Sequence, residues 1–488
     1  MTEQMDIFDL MYKDFKFRKD KPIRIIEMFA GIGTQKMAFK RLGIPHEVIA
    51  IVEVDKFAML SYAAIHTDYL KVRANYDFNL SKEEMVEHLQ EKNIGINFTN
   101  MKQTITMRNN IEIVRDYYLV CILTNNLGDI SKVKGTDLPK GIDMLTYSFP
   151  CTDLSKAGQQ KGLDDTRSGL VYEVFRIIEE LKEINNKPSV LIMENVIDLI
   201  QAKFVKEFNE MQKEVADFGY INYNFVMNAK DFGVAQNRNR VFMVSLPLES
   251  NYKEPKPFKL EKKLRDYLED KVDESFYLSN YNSIFGNALN KDLKDMYNRE
   301  DAVLSPQISQ TITTKMDRRV GDTTYIVDNH DDIKVKDYLK IPEATKQGYA
   351  EAYDGDGVYI NRPHQKRGVV QKGMIQTLKT SGADVGVVVS DTYSAKSMEK
   401  IKNNITDIED LCKTITANPQ RATIDSATLI RENLRIRKLT PLECWRLMGI
   451  DDECFYKARQ VTRNAQLYKQ AGNAIEVDVF AKIIESFI

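Results

Sequence analysis

Cys151 stands in FPCTDLSKAG, with a proline before it and polar and glycine residues after it. A thiolate can add covalently to an electrophilic carbon. Pro150, with its fixed φ, would aim the thiol. A single cysteine is more often a small buried hydrophobe, but these polar neighbours suit a loop better than a core. Glu194 closes the apolar run SVLIMENV. Carboxyls are rarely buried without a partner, so it is either a paired structural group or a general acid. Arg238 and Arg240, in QNRNRVFMV, are two residues apart and share a face on an extended backbone. Two guanidiniums there suit a phosphate, a carboxylate or a carbonyl, or else a solvated basic edge.

A second group of residues has the makings of a ligand pocket. FAGIGT, Phe29–Thr34, follows an apolar run and precedes a helical one. Glycines let a backbone approach a ligand, and the following helix N-terminus favours polar or anionic groups. The dinucleotide fingerprint is incomplete, because Lys36 stands where its third glycine belongs. Glu53 and Asp55, in IVEVD, lie about 20 residues past the glycines, where an acidic side chain can bind ribose hydroxyls. Asp129, in GDI, sits at another expected strand end.

These side chains need a scaffold that gathers strand ends. IRIIEMFA, VIAIVEVD, CILTNNLGDI, IDMLTYSFP, SVLIMENV and RVFMVSLP read as short apolar strands. Helical stretches such as TQKMAFKRLG and LVYEVFRIIEELKEI separate them. The alternation predicts an α/β fold with a doubly wound, mainly parallel sheet, whose ligands bind at the carboxyl ends of the strands. Residues 1–20 read as a tail or short helix. A polar, helix-rich insertion covers roughly residues 66–120, and Ser81 and Glu84 have capping-box spacing. After Pro247 a charged, proline-bearing linker leads into a region of short strands and loops to about residue 430. Within it SQTITTKMDRR, IQTLKTSGADVG and CKTITANPQRAT look alike. LTPLECWRLMGI and VDVFAKIIESFI return to helix. The expected division is 1–247 catalytic and ligand-binding, 248–435 a second domain, and 436–488 a return to the first.

Composition narrows the function classes. The 488 residues allow two or three domains. Lys+Arg at 69 against Asp+Glu at 71 gives a net charge of -2, so a nucleic-acid site must be a local basic cleft. Five cysteines without C-x-x-C argue against a disulfide framework or a zinc site, and no metal is expected. A signal peptide and a membrane span are both excluded by the lack of long apolar runs, which leads to an expectation of a cytoplasmic protein.

Taken in order, FAGIG, VEVD, GDI, FPC, TRSGL, MENV, QNRNR, RKLTPLECWRLMG and QAGNAI resemble the cytosine-5 DNA methyltransferase family. The gap between QNRNR and RKLTPLECWRLMG is where that family keeps its variable target-recognition domain. The resemblance implies a Rossmann-like S-adenosylmethionine-dependent fold with a smaller, irregular β-rich recognition domain. S-adenosylmethionine would lie among Phe29, Ala30, Gly31, Ile32, Gly33, Glu53, Val54, Asp129, Ile130, Pro150, Leu170, Asn473 and Ala474. Glu53 would take the ribose hydroxyls and Asp129 the adenine amine. Cys151 would be the nucleophile, Glu194 the acid and Arg240 the group on the base carbonyl. Asn195 would brace the nucleophile's loop, with Gln236 and Arg238 in support. Thr34, Val54 and Thr152 depart from the family pattern without removing a reacting group.

The implied activity is methylation of carbon 5 of a flipped-out cytosine in a specific duplex sequence, for restriction-modification or phage protection. The implied partner is double-stranded DNA, with a cognate restriction endonuclease as a further candidate. A monomer of bacterial or phage origin is expected. Candidate DNA contacts are Ser155, Lys315, Arg318, Arg319, Lys379, Asn418, Gln420 and Arg421. The insertion, with TYSFPC and TRSGL, is most similar to CpG-specific bacterial members. Their recognition domains are shorter, so the CpG target does not carry over. The alternatives are the same chemistry on tRNA, disfavoured by the long second domain, and a non-catalytic DNA-binding regulator, disfavoured by intact Cys151, Glu194 and Arg240.

Overall fold

The computed structural model describes residues 13–97, 102–103, 110–149, 169–248, 250–276, 338–359, 368–378, 385–391 and 433–488. The chain divides into two compact units. One comprises Met1–Glu269, Gln376–Gly382 and Thr440–Ile488; the other comprises Asp270–Ile375 and Ala383–Leu439.

Six strands form the sheet of the first unit: β1 Ile23–Met28, β2 His46–Val52, β3 Met144–Tyr147, β4 Val190–Val196, β5 Tyr220–Asn228 and β6 Asn239–Pro247. Their order is β2-β1-β3-β4-β6-β5. The pairings β1–β2, β1–β3 and β3–β4 are parallel, and β6 runs antiparallel to both β4 and β5. The helices are α1 Thr34–Arg41, α2 Lys56–His66, α3 Lys82–Glu91, α4 Ile111–Thr124, α5 Leu170–Glu183, α6 Val205–Asp217, α7 Pro441–Arg446, α8 Asp452–Arg459, α9 Asn464–Asn473 and α10 Val477–Glu485.

Layering follows from the two-residue period of a strand. Ile26 and Met28 of β1 enter the main core with Val174, Ile178 and Leu181 of α5 and Met211 and Val215 of α6. Glu27, between them, faces the other way and meets Tyr62 of α2. The sheet is thus covered on both faces, which is why its parallel strands read as continuous apolar runs. The fold is the doubly wound, mainly parallel α/β arrangement that the alternation predicts.

Three elements depart from expectation. CILTNNLGDI is not a strand. Cys121–Thr124 is the last turn of α4, whose buried stripe is Val114, Tyr117, Val120, Cys121 and Thr124. That helical spacing starts upstream of the apolar run and packs onto Met85 and Leu89 of α3. Asn125 (φ 45°) ends the helix, and the strand character shrinks to one parallel bridge between Ile51 and Asn126. β5 went unread because its outward positions carry Asn and Tyr and its burial alternates irregularly. At the N-terminus, Lys13–Asp14 pairs as a short strand with Ser250–Asn251 rather than forming a helix. The capping box of Ser81 and Glu84 forms as its spacing predicts.

The second unit is β-rich. β7 Leu339–Pro342 and β8 Tyr349–Ala352 form an antiparallel pair. β9 Gly357–Tyr359, β10 Val370–Gln371, β11 Val385–Asp391 and β12 Asn433–Lys438 form an antiparallel sheet in the order β10-β9-β11-β12. Ile341, Ala352, Val358, Val369 and Val388 make its small core. Among the described residues no helix is long and apolar enough to cross a membrane.

Candidate active site

The site is built from strand ends that leave the sheet in one row. β1 pairs β3 through Met28 and Tyr147, and β3 pairs β4 through Tyr147 and Met193. Phe29, Ser148 and Glu194 are the next residues along, so they emerge side by side.

The turn after β1 is tightly specified. Phe29 adopts a left-handed φ of 56°, uncommon for a bulky residue. Its glycines serve different ends. Among the described residues, a Cβ on Gly31 would meet nothing within 4 Å, so that face is open. A Cβ on Gly33 would come within 2.5 Å of Tyr62 and His66, so Gly33 is a packing requirement. Because Gly33 offers no side chain to cap α1, Glu27 reaches up from β1 and accepts from the Lys36 backbone N–H at 2.9 Å. Tyr62 donates to the same carboxyl at 2.7 Å. Burial pushes Glu27 up to about 7 despite these donors. Burial also drives His66 down to about 3, so its ring is neutral and its Nε2–H donates to the Ile32 carbonyl at 3.0 Å.

Glu53, after β2, is tied back to this turn. Its carboxyl accepts from the backbone N–H groups of Gly31 at 2.9 Å, Val54 at 2.8 Å and Asp55 at 2.7 Å. Burial raises its proton affinity, and those donors oppose the shift. Asn126 then links Glu53 to the GDI turn. Its Oδ1 accepts from the N–H groups of Glu53 at 3.1 Å and Gly128 at 3.0 Å, and its Nδ2 donates to the Glu53 carbonyl at 3.0 Å. Asp129 accepts from the Ser131 N–H at 3.0 Å and the Asn93 amide at 2.8 Å. Ile130 is buried in the main core, and Phe29 and Leu170 pack half-buried against that core. Two carboxyls, one just past the end of β2 and one in the turn after α4, lie by the open face of Gly31 and make an acceptor set that fits a nucleoside with a ribose diol and an exocyclic amine.

Across the row, Glu194 is 5% exposed. Its Oε2 accepts from the Ser148 hydroxyl at 2.6 Å, and its Oε1 faces Arg240 Nε at 2.9 Å. Both partners donate, so the carboxyl is arranged as an acceptor in this state. Asn195 turns the other way along β4. Its Nδ2 donates to the Phe149 carbonyl at 3.4 Å and its Oδ1 accepts from the Val196 N–H at 2.8 Å. Phe149 is two residues from Cys151.

Gln236 and Arg238 are fasteners. Gln236, fully buried, donates to the Leu447 carbonyl at 2.6 Å and accepts from the Leu378 N–H at 3.1 Å. Arg238 donates to the carbonyls of Leu378 at 3.3 Å, Gly472 at 3.1 Å and Ala474 at 2.9 Å. Burial, with Arg240 nearby, lowers its guanidinium to about 9. The paired arginines therefore part company: Arg240 faces a carboxylate, whereas Arg238 is taken up by backbone carbonyls. Asn473, exposed at the end of α9, lies between two of those carbonyls, and Ala474 beyond it is buried.

Pro150, Cys151, Ser155, Lys315, Arg318, Arg319, Lys379, Asn418, Gln420 and Arg421 lie outside the described residues. The middle Thr-rich segment departs from its expected place. Thr377 donates to the Asn237 carbonyl at 2.8 Å, so Gln376–Leu378 belongs to the first unit. Sequence reasoning missed Ser148, Asn126, Asn93, Tyr62 and His66. Asn126 carried a turn signal in TNNLGD; the others become visible only through strand register and helix packing.

Comparison with known proteins completes the picture. A sequence model of the C-5 cytosine-specific DNA methylases matches residues 91–488. Type II methyltransferase M2.ScrFI of Lactococcus lactis subsp. cremoris is 29% identical over 467 residues, 95% of this chain and 98% of that protein. Orphan methyltransferase M.SssI of Spiroplasma monobiae is 35% identical over 271 residues, 54% of this chain and 69% of that protein. Orphan methyltransferase M.Rho11sI of Bacillus phage rho11s is 27% identical over 560 aligned positions, covering 96% of this chain and 98% of that one. With a family match running from the helical insertion to the last residue, over a sheet whose strand ends gather these carboxyls, the chain belongs to the C-5 cytosine-specific DNA methylases.

Proposed function

We propose that Cys151 is the nucleophile of this methylase, that Glu194 and Arg240 hold the base, and that S-adenosylmethionine is the methyl donor. The observation that carries the reading is the end of β4. There Glu194 meets Ser148 and Arg240, while its neighbour Asn195 grips the carbonyl of Phe149. One strand end thus serves both the acid and the approach to the thiol. Among the described residues no cysteine competes for this role. Cys121, Cys444 and Cys454 are buried, and burial pushes the Cys121 thiol up to about 12, far from a reactive thiolate.

S-adenosylmethionine, when bound, supplies an electrophilic methyl group on a sulfonium. Glu53 and Asp129 would hold its ribose and its purine, and the open face of Gly31 leaves room for it. The Cys151 thiolate adds to carbon 6 of the cytosine, which makes carbon 5 enamine-like and able to accept the methyl group. A protonated Glu194 donates to ring nitrogen 3 and stabilises the charge that develops there. Arg240 has two uses: it meets Glu194 without the base and donates to the exocyclic oxygen with it. A base, or a water, takes the carbon-5 proton, and the thiolate leaves. These atoms are out of reach inside a duplex, so the cytosine must be flipped out.

We assign the cofactor and the chemistry to the first unit and recognition of a specific duplex sequence to the second, in a bacterial or phage cell, with a restriction endonuclease as the natural counterpart. The test is Cys151→Ser. The variant should bind duplex DNA and transfer no labelled methyl group. Duplex DNA carrying 5-fluorocytosine should form a denaturation-resistant adduct with the native protein alone, and tRNA should accept no methyl group. Wild-type turnover by the serine variant would overturn the assignment.

A further inference from the structure

The helical insertion has a second end that the chemistry above does not use. α3 closes at Lys92 and Asn93 against the GDI turn. The Asp129 N–H donates to the Lys92 carbonyl at 2.9 Å, and Lys92 Nζ donates to the Asn126 carbonyl at 2.9 Å. Gly128, at φ 80°, lies so close that a Cβ there would be 2.3 Å from the Lys92 carbonyl oxygen. Asn93 is 8% exposed, and its amide donates to Asp129 Oδ2 at 2.8 Å. Its backbone is left-handed, φ 55°, a conformation that Asn tolerates better than most residues.

We propose that Asn93 is a positioning residue that fixes the Asp129 carboxylate as an acceptor for the cofactor's purine, and thereby selects an exocyclic amine over a carbonyl. The inference rests on the reading of Asp129 as the purine contact. The Ser131 N–H donates to Oδ1 and the Asn93 amide to Oδ2. With a donor on each oxygen the carboxylate is held in one orientation, and its remaining lone pairs face the ligand as acceptors. An adenine amine satisfies them. A hypoxanthine carbonyl would set oxygen against oxygen and leave the half-buried Asp129 acceptors unpaired, which discriminates against it. The insertion is therefore part of the cofactor site's supporting wall.

The test uses the full-length chain and calorimetric binding of S-adenosylhomocysteine and S-inosylhomocysteine. The native protein should prefer the adenosyl compound. Asn93→Gly keeps the left-handed backbone and removes only the amide. It should weaken adenosyl binding about tenfold, the equivalent of one good hydrogen bond, and erase most of the preference. KM for the methyl donor should rise while kcat changes little. Asn93→Asp keeps the shape and sets a second carboxylate against Asp129, so it should weaken adenosyl binding more. This variant also reads the effect if the glycine variant does not fold. A glycine variant that melts earlier yet binds both compounds as the native protein does would overturn the proposal and leave Asn93 a helix terminator. Asp129→Asn separates the two readings. If it too leaves both affinities unchanged, the assignment of Asp129 to the purine fails; if it alone weakens binding, only the role of Asn93 fails.

Discussion

Glu194 and Glu27 are both buried carboxyls at the same sheet, and their neighbours give them different work. Glu194 has a charged partner with a second destination, which suits a group that must change from acceptor to donor. Replacing it tests that point. Glu194→Gln can still donate to ring nitrogen 3 but cannot pass a proton, so it should keep partial activity. Glu194→Ala should lose about two to four orders of magnitude in kcat, the range for removal of a general acid. Equal rates in all three forms would make Glu194 a structural carboxylate. Glu27 accepts from neutral donors, and burial lifts it from an ordinary 4.5 to about 7 although the Tyr62 hydrogen bond and the Lys36 charge oppose the shift. The folded chain therefore holds this proton more tightly than the unfolded chain does. Its stabilising contribution is complete below pH 4.5 and fades as the pH rises through 7. Glu27→Gln should remove that slope, a difference of about 3 kcal/mol between the two limits. Urea unfolding of both proteins at pH 5 and pH 8 measures it; an unchanged gap between them would show that Glu27 does not titrate in this range.

At the level of elements, Arg238 is what joins the turn before β6 to the end of α9. Its three carbonyl partners come from two chain segments, Leu378 in one and Gly472 and Ala474 in the other. Arg238→Met would leave buried acceptors unpaired, at roughly 1–3 kcal/mol for each, so a loss of about 3 kcal/mol or more is expected in thermal or urea unfolding. Arg238→Lys, without the planar fork, should fall between. A methionine variant as stable as the native protein would mean that water replaces the guanidinium. Such clasps mark the limit of what the sequence makes legible. β1 and β4 stood out because covering both sheet faces demands unbroken apolar runs. The MENV and QNRNR residues stood out because charged groups beside such runs are unusual. α4 was misread because its apolar stripe begins inside a polar segment and the run at Cys121–Thr124 looks like a strand by itself. Ser148 could not be read as a partner of Glu194, because 46 residues separate them and only the register of β3 on β4 makes them neighbours. Asn93 was hidden in the same way, 36 residues from Asp129.

Across the whole molecule, the chain leaves the first unit after Glu269, returns for Gln376–Gly382, leaves again and comes back at Thr440. Target choice is expected to travel with the intervening residues. Grafting residues 250–430 onto a related methylase should transfer the recognised sequence. Losing a base reader there should relax one position and cost about 1–3 kcal/mol, whereas losing a phosphate contact should weaken every site alike. An active chimera that keeps the recipient's target would place specificity elsewhere, with residues 66–120 next in line. The Arg238 clasp also sets a timetable. Its acceptors lie 140, 234 and 236 residues further along the chain. At typical rates of synthesis a ribosome needs roughly 12 to 47 seconds to make the last of them. Until then the guanidinium has at most the Leu378 carbonyl to hold, and the strand ends that carry Glu194 and Arg240 lack the segment that completes the clasp. A prematurely released chain cannot close the clasp, so methylation should come only from finished molecules.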